Sequence, residues 1–369
     1  MQKTINVGII GYGGIGRLHA YAYWNIPFYY RDAQVRAKLY GVCDTNKSNL
    51  EDARREAPFE FYTENVDELI ARKDIEAIHV CTPNFLHVPM IEKAIAAGKH
   101  VYSEKPLGIN ADEADKARRL VEFSNIRNRV AFQYRYVPAV AKAKQLMGKI
   151  GQVFHFRGAF YISNFEDRNR VYSWRSDHVV SGGGALIDLG SHVIDLLLYL
   201  VGDITEVSSL CQTFINERPE SVGSTNFITV TAEDYASIRL KTKNGAVGVI
   251  EVSRTALGYG EALSFEIFGE KGAIRFCMDD PNVLYFYNLE GERGCTAIRT
   301  AGFFSESIFP AGRSPVGWAR FAVANQYEFL KDIANGKTRS PNFNDGYKVQ
   351  KVIDAAYISN NNNNATIKI

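Results

Sequence analysis

Thr4-Ile-Asn-Val-Gly-Ile-Ile-Gly-Tyr-Gly-Gly-Ile-Gly16 decides how the first third of the chain folds. Its opening residues form a short β-type apolar run. The run ends in Gly11-Tyr-Gly13-Gly-Ile-Gly16, where a helix-like segment begins. Glycines at this spacing between a strand and a helix make a dinucleotide-binding turn. Gly11 permits the tight turn, and Gly13 lets a pyrophosphate come close to the backbone. Gly16 lets helix and strand pack, with Gly14 and Ile15 completing the phosphate-binding turn. An acid at the end of the second strand then grips the adenosine ribose. Asp44, in Val42-Cys-Asp44, stands there, 28 residues beyond Gly16 where about 20 is usual. The excess falls in the aromatic stretch Tyr21–Tyr30, read as a longer first helix or loop. A carboxylate at 44 bonds a 2′-hydroxyl and repels a 2′-phosphate. NAD is therefore favoured, with NADP the alternative because Lys47 lies near enough in sequence to offset the repulsion.

Outward from this turn, short apolar runs at Lys38–Val42, Ile75–Cys81, His100–Tyr102 and Arg129–Phe132 alternate with amphipathic segments at Val66–Ala71, His87–Ala97 and Ala111–Phe123. That alternation predicts a doubly wound parallel sheet, a Rossmann domain over residues 1–133. After about residue 133 the pattern changes. Val153–Ile162, Glu206–Ile215, Phe227–Thr231, Ala236–Lys241, Ala246–Ser253 and Ser264–Phe268 read as consecutive strands, with turns at Lys243-Asn-Gly245 and Glu270-Lys-Gly272. Helices are predicted at Gly184–Leu200, Phe321–Ile333 and Tyr347–Ser359. Residues 134–369 are therefore expected to form an α+β domain with a large, mostly antiparallel open sheet.

Composition narrows the function classes. With 43 Lys plus Arg against 41 Asp plus Glu, the net charge is +2, which gives no global basic field for nucleic acid. The apolar stretch Ala185–Val201 contains Asp188, His192 and Asp195 and is a poor membrane span. The N-terminal apolar run Val7–Ile10 is too short for a signal-peptide core, so a cytoplasmic protein is expected. Five scattered cysteines suit a reducing compartment, and no His or Cys spacing suggests a metal site.

Cys81-Thr-Pro-Asn-Phe-Leu-His87, then Gly98-Lys-His-Val-Tyr-Ser-Glu-Lys-Pro106, then Gly182-Gly-Gly-Ala-Leu-Ile-Asp188-Leu-Gly-Ser-His192-Val-Ile-Asp195 together resemble the glucose-fructose oxidoreductase / inositol dehydrogenase / MocA family. The closing stretch, Phe329–Gly336 with Asp345-Gly and Ala355–Ser359, resembles that family's tail. The resemblance implies an NAD(P)-dependent dehydrogenase acting on CH–OH groups, transferring a hydride between the nicotinamide and a hydroxyl carbon of a sugar, cyclitol or related polyol. It implies a homodimer or homotetramer formed through the open sheet of the second domain. By position, Lys105 matches the family's active-site lysine, Asp188 its substrate-holding aspartate and His192 its catalytic histidine. Thr82, Pro83, Asn84, His87, Glu104, Lys105 and Pro106 match the segments beside the nicotinamide. The departures are the aromatic stretch before Asp44 and an insertion-like Asn164–Ser181.

The residue types suit this chemistry. Oxidising an alcohol removes a hydride from carbon and a proton from oxygen, and histidine accepts a proton near neutral pH. Lys105 supplies positive charge for the developing alkoxide. Asp188, four residues before His192 on a predicted helix face, would hold adjacent hydroxyls. Arg135, Trp174 and Arg175 are further candidates for lining the sugar site. Two other readings stand beside this one: reduction of a keto-sugar with NADPH, and a non-catalytic dinucleotide-binding sensor on the same fold.

Overall fold

The structure, a computed structural model, describes residues 3–31, 33–290, 294–302 and 314–369. The first elements are β1 (Lys3–Ile10), α1 (Gly14–Tyr29), β2 (Val35–Cys43), α2 (Lys47–Glu56), β3 (Phe61–Thr63), α3 (Val66–Ala71), β4 (Ala77–Val80), α4 (His87–Ala96), β5 (His100–Ser103), α5 (Ala111–Glu122) and β6 (Asn128–Val130). Then come α6 (Pro138–Leu146), β7 (Val153–Tyr161), α7 (His178–Ser181), α8 (Ser191–Leu200), β8 (Ile204–Gln212), β9 (Glu217–Pro219), β10 (Phe227–Thr229), β11 (Tyr235–Thr242) and β12 (Val247–Ser253). The chain closes with β13 (Ala262–Gly269), β14 (Gly272–Cys277), β15 (Val283–Asn288), β16 (Cys295–Arg299), α9 (Trp318–Asn335), α10 (Phe343–Asn361) and β17 (Ile367–Lys368).

Two compact units result. The first gathers Met1–Gly108, Asp112–Tyr136 and Gly302–Tyr347; the second gathers Ile109–Ala111, Val137–Ala301 and Lys348–Ile369. The first holds a six-stranded sheet in the order β3-β2-β1-β4-β5-β6, with every pairing parallel. In this order the connections change direction between β1 and β4, which opens a crevice at the carboxyl ends of the strands where ligands bind. Ile5, Val7 and Ile9 of β1 are fully buried because helices cover both faces. The aromatic stretch is helix: α1 runs to Tyr29 and turns His19, Ala20, Tyr23 and Ile26 inward.

The division at residue 133 needs correction at the far end of the chain. Helix α9, assigned by sequence to the second domain, packs in the first unit. Its Val323, Phe329, Leu330 and Ile333 share one apolar cluster with β1, α1 and β2. A buried ion pair fixes it there: Arg129 Nη2 donates to Asp332 Oδ2 at 2.5 Å, both side chains fully buried. Arg129 Nη1 also donates to Asn325 Oδ1 at 3.2 Å and to the Tyr136 hydroxyl at 2.6 Å. Asn325 and Asp332 lie some 200 positions from Arg129 in sequence, so no local pattern announces these pairings.

The second unit is built on a nine-stranded sheet in the order β16-β15-β14-β13-β7-β12-β11-β8-β17. Only the β12–β7 pairing is parallel. The turns at Lys243–Gly245 and Glu270–Gly272 link β11 to β12 and β13 to β14 as expected. One face of the sheet packs on α8. The opposite face leaves Leu210, Val247 and Val249 about half exposed.

Removing one partner of the Arg129–Asp332 pair strands a buried charge. Asp332→Ala should lower the stability of the first unit by about 3–5 kcal/mol, read as a shift of its urea midpoint. A change below about 1 kcal/mol would show that Asn325 and Tyr136 alone satisfy Arg129.

Candidate active-site residues

The glycine turn is built as its spacing predicts. Gly11 has φ +89°, a conformation that only glycine adopts without strain. A side chain at Gly16 would collide with the Gly11 carbonyl, so the start of α1 is pressed against the end of β1. At Gly13 and Gly14 the space is open to at least 4 Å. That open side leaves room for a phosphate at the N-terminus of α1. Asp44 directly follows β2 and reaches this turn: its Oδ2 accepts from the Tyr12 backbone N–H at 2.6 Å and from Asn49 Nδ2 at 3.0 Å. Its Oδ1 accepts from the Asn46 N–H at 2.8 Å. Lys47, the cation that could blunt this preference, lies 3.7 Å from Glu64. Beyond β4, the Thr82 hydroxyl is buried with no hydrogen-bond partner among the described residues. An open phosphate turn, an acid at the second strand and an orphaned hydroxyl at the switch point fit a bound dinucleotide.

The segments assigned to the nicotinamide side separate into two kinds. His87 is 1% exposed, its ring held between the Pro106 carbonyl at 2.6 Å and the Thr82 carbonyl at 2.9 Å. It clamps two loops together, the one that carries Thr82 and the one that carries Pro106. Burial holds its pKa below the ordinary histidine value, although both carbonyls favour the charged ring. Asn84 is also buried. Glu104 and Lys105 are only partly buried, and the Lys105–Pro106 bond is cis. The Lys105 N–H donates to Glu104 Oε2 at 3.2 Å.

In the second unit, Asp188 and His192 do not sit on one uninterrupted α-helix. Leu186–Gly190 forms a π turn that passes directly into α8. Turns of this kind are rare and concentrate at functional sites. His192 is 5% exposed and tilts against the Phe160 ring at 6.0 Å, while Asp188 is half-buried. The sequence reading missed Glu233. Its buried carboxylate accepts from the Gly184 and Leu186 N–H groups at 2.9 Å each and from the Tyr357 hydroxyl at 3.0 Å. Burial and then the Glu233 charge push the Tyr357 phenol well up, so it remains a donor. Glu233 thus anchors the turn that carries Asp188. Adjacent acids just before a strand, Glu233-Asp234, were the only available signal.

The sugar-site candidates fare unevenly. The Arg135 guanidinium is 6% exposed and is engaged by Asp345 at 3.1 Å and Ser340 at 2.5 Å. That placement makes it a brace inside the first unit. Arg175 lies over the Trp174 ring at 4.2 Å on an exposed turn. The insertion-like stretch is pinned by Phe165, which Arg170, Arg254 and Arg218 surround at 4.2, 4.6 and 5.7 Å.

Asp44→Ser should weaken NAD and improve the relative use of NADP, since the hydroxyl cannot repel a 2′-phosphate. Dinucleotide titrations by fluorescence check this. A wild type that already prefers NADP by about tenfold, 1.4 kcal/mol, would contradict the role given to Asp44.

Comparison with known proteins agrees with this geometry. Residues 5–132 match the oxidoreductase family with an NAD-binding Rossmann fold, and residues 140–275 match the GFO/IDH/MocA C-terminal domain. A levoglucosan dehydrogenase from Pseudarthrobacter phenanthrenivorans is 33% identical over 372 residues, covering 96% of this chain and 95% of its own. Glucose-6-phosphate 3-dehydrogenase from Bacillus subtilis is 28% identical over 96% of each chain. A solved levoglucosan dehydrogenase in complex with NADH superposes with a TM-score of 0.93 at 32% identity, covering 100% of this chain and 99% of that one. The chain belongs to the GFO/IDH/MocA oxidoreductases and carries their NAD-binding Rossmann fold.

Proposed function

We propose that this protein is an NAD-dependent dehydrogenase that oxidises a ring hydroxyl of a sugar, anhydro-sugar or cyclitol. The observation that carries this reading is the near full-length likeness to a levoglucosan dehydrogenase, in a chain that presents Lys105, Asp188 and His192 in the family's order. The bound dinucleotide supplies the hydride acceptor. His192 takes the hydroxyl proton on its imidazole; the buried setting of α8 keeps bulk water from that ring. Lys105 lowers the energy of the alkoxide as charge builds on oxygen. Asp188, partly exposed on the π turn, accepts from neighbouring hydroxyls and orients the ring. A second copy of the chain is expected against the open sheet face bearing Leu210, Val247 and Val249.

The test is NADH formation at 340 nm with levoglucosan, myo-inositol and glucose 6-phosphate. Lys105→Met should cut kcat at least a hundredfold, about 2.7 kcal/mol of barrier, with NADH affinity changed much less. His192→Ala should lose about 10²–10⁴-fold and still bind NADH. Dinucleotide binding with no turnover on a broad polyol panel would favour a sensor instead. For the assembly, Val249→Asp should reduce the mass seen by light scattering to a single 41.3 kDa chain. A wild type already at that mass would remove the open face from the assembly.

A further inference from the structure

Behind Glu104 lies a buried row of hydrogen-bonding side chains that the reading above does not use. The Tyr23 hydroxyl meets His79 Nε2 at 2.5 Å; His79 Nδ1 meets His19 Nδ1 at 2.8 Å; His19 Nε2 meets Glu104 Oε1 at 3.0 Å. Cys81 Sγ also lies 3.2 Å from His19 Nδ1. Tyr23, His79 and His19 are each no more than 2% exposed. The His79 ring stacks on Tyr102 at 4.5 Å, and Tyr102 in turn accepts from Asn325 at 2.8 Å.

The direction of each bond follows from the partners. Burial pushes the Tyr23 phenol well up, and burial followed by His19 holds His79 well below the ordinary histidine range. The phenol therefore stays protonated and donates to His79 Nε2. A neutral His79 then carries its proton on Nδ1 and donates it to His19 Nδ1, which the Cys81 thiol also faces. That leaves the His19 proton on Nε2, aimed at the Glu104 carboxylate. Running the chain the other way would turn a ring lone pair toward a carboxylate, which is repulsive. The other Glu104 oxygen accepts the Lys105 backbone N–H at 3.2 Å. The groups are not spaced as ligands of one metal ion: nitrogens on a tetrahedral zinc at about 2.0–2.1 Å stand farther apart than the 2.8 Å between these rings.

We propose that His19 is a positioning residue for hydride transfer: from α1, whose N-terminus forms the phosphate turn, its Nε2–H fixes the Glu104 carboxylate and through it the backbone of Lys105. The consequence is a mechanical tie between the helix that holds the dinucleotide's phosphates and the loop that carries the catalytic lysine. The tie uses a residue in the second turn of α1, where motion at the phosphate turn would be felt. The proposal rests on the role given to Lys105 above.

The test is single-turnover hydride transfer by stopped flow, using the panel polyol of highest turnover, with NADH affinity measured separately by fluorescence. His19→Leu keeps bulk and removes the donor; His19→Gln keeps a donor for Glu104. His19→Leu should slow the step about ten- to hundredfold, as small misplacements of a catalytic group do, with NADH affinity nearly unchanged. His19→Gln should recover most of the rate. In a Lys105→Met background, His19→Leu should add almost nothing, since both act through one group. If His19→Leu does not fold, Glu104→Gln enters the same link and should show the same loss and the same masking. An unchanged rate in a folded variant, a loss confined to NADH affinity, a Gln variant as slow as Leu, or full additivity with Lys105→Met would each overturn the proposal. Lys105→Met alone with wild-type rate would instead remove the reading beneath it, a result independent of anything seen at His19.

Discussion

The carbonyl of Gly11 occupies the space that any side chain at residue 16 would need. Glycine at 16 is therefore the condition for α1 to begin directly against the end of β1, and much of the first unit follows from that contact. Pressed this close, the helix leaves open space beside Gly13 and Gly14 and buries His19, Tyr23 and Ile26. Asp44 is drawn to the same turn by the Tyr12 N–H. One backbone contact thus sets the phosphate-binding amides, the acid at the second strand and the buried side chains that reach Glu104.

The second unit solves a different problem, that of holding Asp188 and His192 in an apolar helical stretch. Such groups are costly to bury without partners. The chain answers with a π turn at Leu186–Gly190, which leaves Asp188 partly exposed while His192 is enclosed against Phe160. The widened turn would be weak alone. Glu233 compensates by taking up the amides of Gly184 and Leu186, with Tyr357 completing its shell. A buried carboxylate is tolerated when its lone pairs are taken up by donors, and the His178 ring also lies 4.0 Å from Glu233 Oε2.

Features governed by neighbours in sequence were legible before any coordinates. The strand, glycine turn and helix at residues 4–29, the Lys243-Asn-Gly245 hairpin and the change to consecutive strands after residue 133 all depend on local pattern. Features governed by distant partners were not. Nothing near Trp318–Asn335 says that Asp332 will meet Arg129, so α9 was placed in the wrong unit. The partners of Arg135, Ser340 and Asp345, lie 205 and 210 residues away, so no local pattern shows that its guanidinium is engaged inside the first unit. The clamp made by His87 is equally hidden, because its ring spans two carbonyls in different loops while the motif runs as one string. The π turn was invisible because an apolar run has the same composition whether it winds with four or five residues per hydrogen bond.

Under the proposed function, this chain moves a hydride from a ring carbon of a polyol to a nicotinamide. The most direct test is the mass of the dinucleotide recovered after incubation with NAD and a polyol deuterated on its ring carbons. Reduced dinucleotide should be heavier by a single deuterium than that formed from the unlabelled polyol, with the matching ketone as product. Dinucleotide recovered bound but oxidised, across levoglucosan, inositols and hexoses alike, would contradict it.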